Sequence, residues 1–228
     1  MPCDYDADPG RYRLGMQLTR SYLAAGTTSV YERIWQLLPG SDNQVVADVG
    51  CADGALTAAR PAARRSRLLG LDTSAVLLRT HPVPAIQADA VRLPLRNQSV
   101  TAVVAVNMLY HLPDPLVAIR EARRVLAPGG VFVAATISRS DSPELAAVWR
   151  PRRSTFDAED AAALAGAVFA TVEVESWDAP LITLPDTAAI RDYLVARQMR
   201  PAQAAGAAAQ LPAPLTITKR GALLRCSD

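Results

Sequence analysis

Between Val45 and Ile137 short β-branched runs alternate with stretches of helical spacing. Val45-Val46-Ala47-Asp48-Val49 reads as a buried strand ending at Gly50, with a helical stretch from Ala55 that breaks near Pro61. Leu68–Leu71 is a second strand, and Asp72-Thr73-Ser74 after it offers side-chain oxygens suited to capping a short helix. Ala85–Ala88 is a third, weaker strand. Val100–Val106 is apolar on both faces, as a central parallel strand must be. Asp114-Pro115 then supplies an N-cap with proline at the first helical position. Ala118, Ile119, Ala122, Val125 and Leu126 follow at the spacing of one helix face. Pro128-Gly129-Gly130 predicts the stop, and Val131–Ala135 a fifth strand. Strand and helix in strict alternation imply right-handed crossovers and a parallel sheet covered by helices on both faces.

Two helices, Tyr12–Ala24 and Ser29–Leu38, are expected before the first strand. Beyond Ile137 an irregular stretch carries Pro143, Pro151 and the cluster Arg150, Arg152 and Arg153. A helix near Ala158–Val168, a strand over Thr171–Ser176, a helix over Asp186–Met199, an Ala-rich helix within 201–214 and a last strand Leu215–Leu224 complete the prediction. The expected organisation is one domain over 1–228: a helical cap over 1–43, a core over 44–137, and a substrate-side segment with the last strands over 138–228. Half of the 228 residues are hydrophobic and the net charge is only +2, which excludes disorder as the dominant state. Of 24 basic side chains only Lys219 is a lysine, so any chemistry that needs an amine must use that residue. The Arg- and Ala-rich usage fits a GC-rich bacterial genome, where a role in specialised metabolism is expected. Three cysteines, Cys3, Cys51 and Cys226, form no CxxC pair, which argues against a disulfide framework or zinc site and for a reducing cytoplasm. The acidic N-terminus is unlike a secretory leader, and no apolar run reaches the roughly 18 residues a membrane helix needs.

The segment Asp48-Val49-Gly50-Cys51-Ala52-Asp53-Gly54 carries the first chemistry, because it follows a strand and opens a helix. At such a turn a nucleotide-like ligand approaches backbone, and small residues admit it. A dinucleotide loop would read G-x-G-x-x-G, which this segment matches poorly. Charge discriminates further: two like charges about 4 Å apart at an effective dielectric of 20 repel by roughly 4 kcal/mol. Asp48 and Asp53 would therefore oppose a pyrophosphate and welcome a ligand with an ammonium and a sulfonium. Asp72, ending the second strand, can accept from both hydroxyls of a ribose. Asp89, after the third strand, can accept from the exocyclic amine of adenine. Each carboxylate alone is an ordinary cap or loop residue; three at successive strand ends form a site.

With Gly70-Leu71-Asp72-Thr73-Ser74, Gln87-Ala88-Asp89-Ala90-Val91-Arg92-Leu93-Pro94-Leu95, Asn107-Met108-Leu109-Tyr110-His111-Leu112-Pro113-Asp114 and Arg124–Gly130 in this order, the chain resembles the class I S-adenosylmethionine-dependent methyltransferases. It is similar to the small-molecule group that includes the ubiquinone/menaquinone C-methyltransferases. The resemblance covers residues 44–137 and implies an α/β fold with a doubly wound, mostly parallel seven-stranded sheet. It implies a loop of Gly50, Cys51, Ala52 and Gly54 under the methionine portion, with Asp48 near the ammonium. Asp72 and Thr73 would meet the ribose, Asp89 and Ala90 the adenine, and Asn107 and Met108 the methionine end. Tyr12 matches a tyrosine that closes over the cofactor. Ala52 departs from the family, which more often has glycine there, and weaker cofactor binding is expected.

No metal is expected, since His81 and His111 are the only histidines and no carboxylates join them as ligands. His111, past the central strand, is the candidate general base, against a reading in which it and Tyr110 only line the pocket. His81 is expected at the opposite sheet edge as a structural residue. Tyr22, Trp35 and Trp149 could form an apolar lid, with substrate entering between the N-terminal helices and 138–155. Asn107-Met108-Leu109-Tyr110 lacks the two prolines of nucleic-acid amino-methylating enzymes, no cysteine is placed as a cytosine-methylating nucleophile, and Lys219 has no tyrosine four positions before it for dehydrogenase chemistry. The expected acceptor is a small molecule methylated on O, C or N. An RNA substrate tracked by Arg60, Arg64, Arg65 and Arg67 with Arg150, Arg152 and Arg153, or a non-catalytic cofactor binder, are the alternatives.

Overall fold

The computed structural model describes residues 5–40 and 44–228, so Cys3 and the proposed boundary at 43 lie outside the described residues. Helix α1 spans Pro9–Tyr22, with Asp8 accepting from the Arg11 amide, and α2 spans Val30–Leu37 behind a capping box in which Ser29 and Glu32 satisfy each other's backbone amides. The core then runs β1 (Val45–Val49), α3 (Ala55–Ala58), β2 (Arg67–Asp72), α4 (Ala75–Leu78), β3 (Ala85–Gln87), β4 (Val100–Val106), α5 (Pro115–Val125) and β5 (Leu126–Ile137). After it come α6 (Ala158–Gly166), β6 (Thr171–Leu184), α7 (Thr187–Ala196), α8 (Pro201–Ala208) and β7 (Leu215–Ser227). The seven strands form one sheet in the order β3-β2-β1-β4-β5-β7-β6. The first five are parallel and β7 is antiparallel to both β5 and β6.

Period-two alternation sorts the strand side chains onto two buried faces. Ala47, Val49, Val103, Ala105, Phe132 and Ala134 join α5 and α6 in one core, where Phe132 stacks on Phe169 at 5.5 Å. Val46, Leu68, Ala102, Val104, Val131 and Val133 pack against α2 on the other face. Trp35 is fully buried there, its indole donating to the Leu56 carbonyl, so it belongs to this core and to no lid. A third core lies between α1, α7, α8 and the far halves of β6 and β7.

The departures from the predicted elements have local causes. Leu126 opens β5 instead of closing α5, because the chain turns extended there and the strand continues through Pro128–Gly130. Gly129, at φ +73°, lets β5 restart its ladder from Leu126 opposite Val100 to Val131 opposite Ala102. Strand β6 extends eight residues past Ser176, through Pro180, which an edge strand tolerates with its imide facing away from the ladder. Glu173, Glu175 and Asp178 charge this edge and pair with Arg225, Arg33 and Arg220. The expected helix after Ala55 is a single turn. His81 is not at the opposite edge: it packs over the sheet beside Gly54 and Gly70, its Nδ1 on the Val83 carbonyl.

Gly221 lies opposite both Ile137 and Trp177, and the indole of Trp177 crosses it so closely that a Cβ would stand 2.2 Å from the ring and 2.5 Å from the Thr136 carbonyl. Gly221→Ala is therefore expected to lower the unfolding free energy by about 1–3 kcal/mol in urea titrations, the usual cost of overpacking a rigid site.

Candidate functional site

Strands β1 and β4 are neighbours, but their connections lead to opposite sides of the sheet, so a crevice opens at their carboxyl ends. The turn after β1 is held in place by β2: the amides of Gly50 and Cys51 donate to the Leu71 carbonyl at 2.7 and 3.2 Å. The Ala52 amide donates to Asp72 Oδ2 at 2.8 Å, and the Ser74 amide to Oδ1 at 2.8 Å. Asp72 is thus oriented by backbone on both oxygens, each of which keeps a lone pair for a ligand. Gly50 is at φ +74°, and a Cβ there would stand 2.6 Å from Met108 Cγ, so this position needs glycine. Ala52 sits at φ +48°, a left-handed conformation that costs an alanine roughly 1–2 kcal/mol.

A cavity of about 840 Å³ lies against this turn, large for a small-molecule site. Asp48, Gly50, Cys51, Ala52, Asp72, Thr73, Asp89, Ala90, Asn107 and Met108 all reach its wall, as do Tyr12, Tyr110 and His111. Gly54 does not: it backs onto Pro82, behind the loop. Tyr22 and Trp149 also lie off the cavity and pack into the third core, where the Trp149 indole donates to the Arg197 carbonyl at 3.3 Å. Their aromatic side chains, read as a lid, pack into this core. Residues 138–155 do not line the cavity either; that wall is built by Trp177, Ala179, Leu181 and Ile182 of β6 and by Tyr193, Ala196 and Arg197 on and after α7. Arg64 is spent on the carbonyls of Trp35, Leu38 and Pro39, Arg60 on that of Ser66 and Arg150 on that of Ala146. These bonds tie three of the seven arginines considered for a phosphate track to neighbouring backbone carbonyls.

The wall next to β1 is acidic and short of donors. Asp48 is 3% exposed, and burial, then the charge of Asp72, pushes its carboxyl from 3.8 up to about 7, with no compensating hydrogen bond among the described residues. Burial and the Asp48 charge also push the Tyr31 phenol up. Asn107, at φ +51°, carries a buried Oδ1 without a partner among the described residues. A buried carboxylate and an orphaned amide oxygen facing one cavity call for a ligand that brings positive charge and N–H or O–H donors. Asp89 is preset by the Val91 amide at 3.1 Å.

Above this wall, Tyr12 donates to Asp53 Oδ1 at 3.1 Å, tying α1 to the loop. The Tyr5 hydroxyl and His111 Nε2 are 3.2 Å apart, and the two rings meet edge to face at 5.7 Å. Asp6 accepts from the Ser74 hydroxyl and the Val76 amide, which fastens this segment to β2 and α4. Burial, then Arg11, pulls the His111 imidazole below its ordinary 6.5, so it is neutral near pH 7. Tyr5, Tyr31, Trp177, Tyr193, Arg197 and Lys219 also line the cavity, and the sequence reading assigned none of them to the site. All but Tyr5 and Tyr31 come from β6, β7 and the α7 region, and no motif marks them. The sole lysine was the one available signal. Among the described residues no group of three or more His, Cys, Asp or Glu side chains is placed to hold a metal ion, and no helix is long and apolar enough to cross a membrane.

Residues 47–134 match the family described as a methyltransferase domain. Over that span, less than half of the chain, it is similar to class I methyltransferase domains, whose cofactor is S-adenosylmethionine. Over 129 residues it is 31% identical to the malonyl-[acyl-carrier protein] O-methyltransferase of Marinomonas sp., covering 53% of this chain and 48% of that protein. Over 124 residues it is 30% identical to the ubiquinone biosynthesis O-methyltransferase of Alkalilimnicola ehrlichii, covering 50% and 49%. The chain thus spans about half the length of these relatives. The YcgJ protein of Bacillus subtilis shares the fold, with a TM-score of 0.65 at 13% identity over 86% of this chain and 96% of that one.

The buried Asp48 and the orphaned Asn107 oxygen fit the ammonium-bearing end of this cofactor. Folded Asp48 keeps its proton up to about 7, whereas an unfolded one releases it near 3.8. Its contribution to stability is therefore lost progressively as pH rises from about 3.8 to about 7, with no further loss above that. Asp48→Asn, which stays neutral, should gain up to about 4 kcal/mol relative to the wild type between pH 3 and pH 8, read from urea midpoints across that range. S-adenosylhomocysteine should bind the wild type more tightly at pH 8 than at pH 6, and bind Asp48→Asn with little pH dependence; a flat wild-type profile by calorimetry would refute the assignment.

Proposed function

We propose that this protein transfers the methyl group of S-adenosylmethionine to a nucleophilic atom of a small-molecule acceptor held in the same cavity. The observation that carries the reading is the buried, donor-poor wall of Asp48 and Asn107 at the crevice between β1 and β4. Asp48 and Asn107 would hold the ammonium end, Asp72 with Thr73 the ribose, and Asp89 with Ala90 the adenine. When bound, the cofactor supplies an electrophilic methyl group on a sulfonium. Oxygen is the acceptor atom specified in the names of the two curated relatives, and it is the atom we favour here over carbon and nitrogen.

The residues of the chain contribute alignment, dryness and a proton acceptor. Tyr12, locked to Asp53, and Tyr5, packed on His111, cover the cavity from the N-terminal side. Excluding water and holding the acceptor in line is worth up to roughly 7–11 kcal/mol in effective molarity. His111 is the general base of this reading: its imidazole is neutral near pH 7, and with Nε2–H donating to the Tyr5 hydroxyl its Nδ1 keeps the lone pair that takes the proton of a phenol or hydroxyl as it attacks. The cavity is of small-molecule size, which favours a small acceptor over RNA. Cys51 and Cys226 are buried and free, which supports a cytoplasmic setting.

Asp72→Ala is expected to abolish measurable S-adenosylhomocysteine binding by calorimetry while the circular dichroism spectrum keeps its native form. Screening acceptors for S-adenosylhomocysteine release tests turnover directly; a protein that binds the cofactor product but releases none with any phenol, alcohol or amine class would be a binder only. With an accepted substrate, His111→Ala should lower kcat by about 10²–10⁴-fold and leave S-adenosylhomocysteine affinity nearly unchanged. An unaltered kcat would remove it as the base.

A further inference from the structure

The half of the cavity away from the Asp48 wall has the opposite charge. Arg197, just past α7, points its guanidinium under Tyr193, whose hydroxyl accepts from Nη2 at 2.8 Å and whose ring lies 4.7 Å from the guanidinium carbon. Its Nε is buried without a partner among the described residues, and none of their carboxylates forms an ion pair with it. Lys219, the only lysine of the chain, reaches the same wall from β7. It pairs with Asp141, a fully buried carboxylate that also accepts from the Ser142 hydroxyl and the Arg220 amide. Asp141 therefore balances one of the two cations and the cluster keeps one positive charge. Although burial opposes both effects, Arg197 stays protonated beside Tyr193 and Asp141, and the phenol of Tyr193 is held below its ordinary value by Arg197 and Lys219. A half-buried guanidinium bonded only to a neutral phenol leaves N–H donors and charge unsatisfied, the reverse of the need at Asp48.

The remaining wall here is apolar, from Leu181, Ile182, Trp177 and Leu223. Tyr110 stands between the two poles, within electrostatic reach of Tyr31 on one side and Arg197 on the other. From this arrangement we infer that the acceptor is an amphiphile with an apolar body and one oxyanion, seated by Arg197 with Lys219 beside it, so that its nucleophilic atom is turned towards Tyr110 and His111. A planar carboxylate matches the forked donors of a guanidinium best, and a phosphate monoester offers the same oxyanion chemistry. The inference rests on the methyltransferase reading for what lies at the other pole, but the charge at Arg197 exists without it.

The test is calorimetric titration of the whole chain, with and without saturating S-adenosylhomocysteine, using cinnamate, its neutral isostere cinnamamide, and phenyl phosphate. Either oxyanion should bind at least about tenfold more tightly than the amide, and the tighter of the two names the source of the charge. Arg197→Gln should erase that preference, and Arg197→Lys should restore part of it. Equal affinity for amide and oxyanions, no oxyanion binding up to the solubility limit in either condition, or an undiminished preference in Arg197→Gln would overturn the inference. The comparison of oxyanions with the amide on unaltered protein needs no variant, so a misfolded Arg197→Gln would not shield it. If S-adenosylhomocysteine fails to bind while an oxyanion binds, the methyltransferase reading falls and only the oxyanion site at Arg197 stands; the converse result removes only this inference.

Discussion

A carboxylate kept out of water beside a second carboxylate is the constraint on which this molecule turns. Asp48 lies near the end of a strand that is buried on both faces, and Asp72 ends the neighbouring one, held at one oxygen by the Ala52 amide of the first turn and at the other by the Ser74 amide of its own turn. Burying Asp48 beside Asp72 is unfavourable by itself, since at Asp48 neither desolvation nor like charge is offset within the described residues. The arrangement is a local sacrifice of stability of the kind seen where a protein prepares for a cationic guest. The loop from Gly50 to Gly54, the left-handed Ala52 and the left-handed Asn107 all serve to place these groups on one crevice.

The cavity is consequently a dipole. One wall is acidic, made from the ends of the parallel strands, and the other basic, made from the antiparallel hairpin of β6 and β7 and from the residues after α7. The two walls come from different parts of the chain and belong to different cores, the second held together by α1, α7, α8 and the hairpin. Gly221 and Trp177 mark the seam between them, because the indole that lines the cavity can lie flat there only over a residue without a side chain. The acidic wall is thus joined to the parallel half of the sheet, while the basic wall is built from the antiparallel hairpin and the residues after α7.

Tyr5, Asp6 and Tyr12 close the arrangement from above through three separate contacts: to His111, to the β2–α4 turn and to Asp53. None of these is strong alone, since hydrogen bonds of this kind contribute about 0.5–1.5 kcal/mol each. Together they place a tyrosine next to the imidazole and shield it from solvent, and this shielding is what keeps His111 neutral.

The parallel core was legible because strand, turn and cap chemistry are local. Period-two and period-three-to-four patterns, Asp114-Pro115, and the acidic residues at three strand ends are all properties of neighbours in sequence. Errors began where a local signal had two meanings. Pro128–Gly130 ends a helix and equally bulges a strand, Pro180 breaks a central strand but not an edge one, and Tyr22, Trp35 and Trp149 look alike as lid or core until their neighbours are known. The order of small and acidic residues marked the acidic wall, because one strand-turn-helix unit and its neighbours supply all of it. Only the tertiary structure could bring Arg197 and Lys219 to the same cavity as Asp48. They lie about 150 and 170 residues further along, as the numbering shows, and their charge acquires meaning from the low dielectric that packing creates around them.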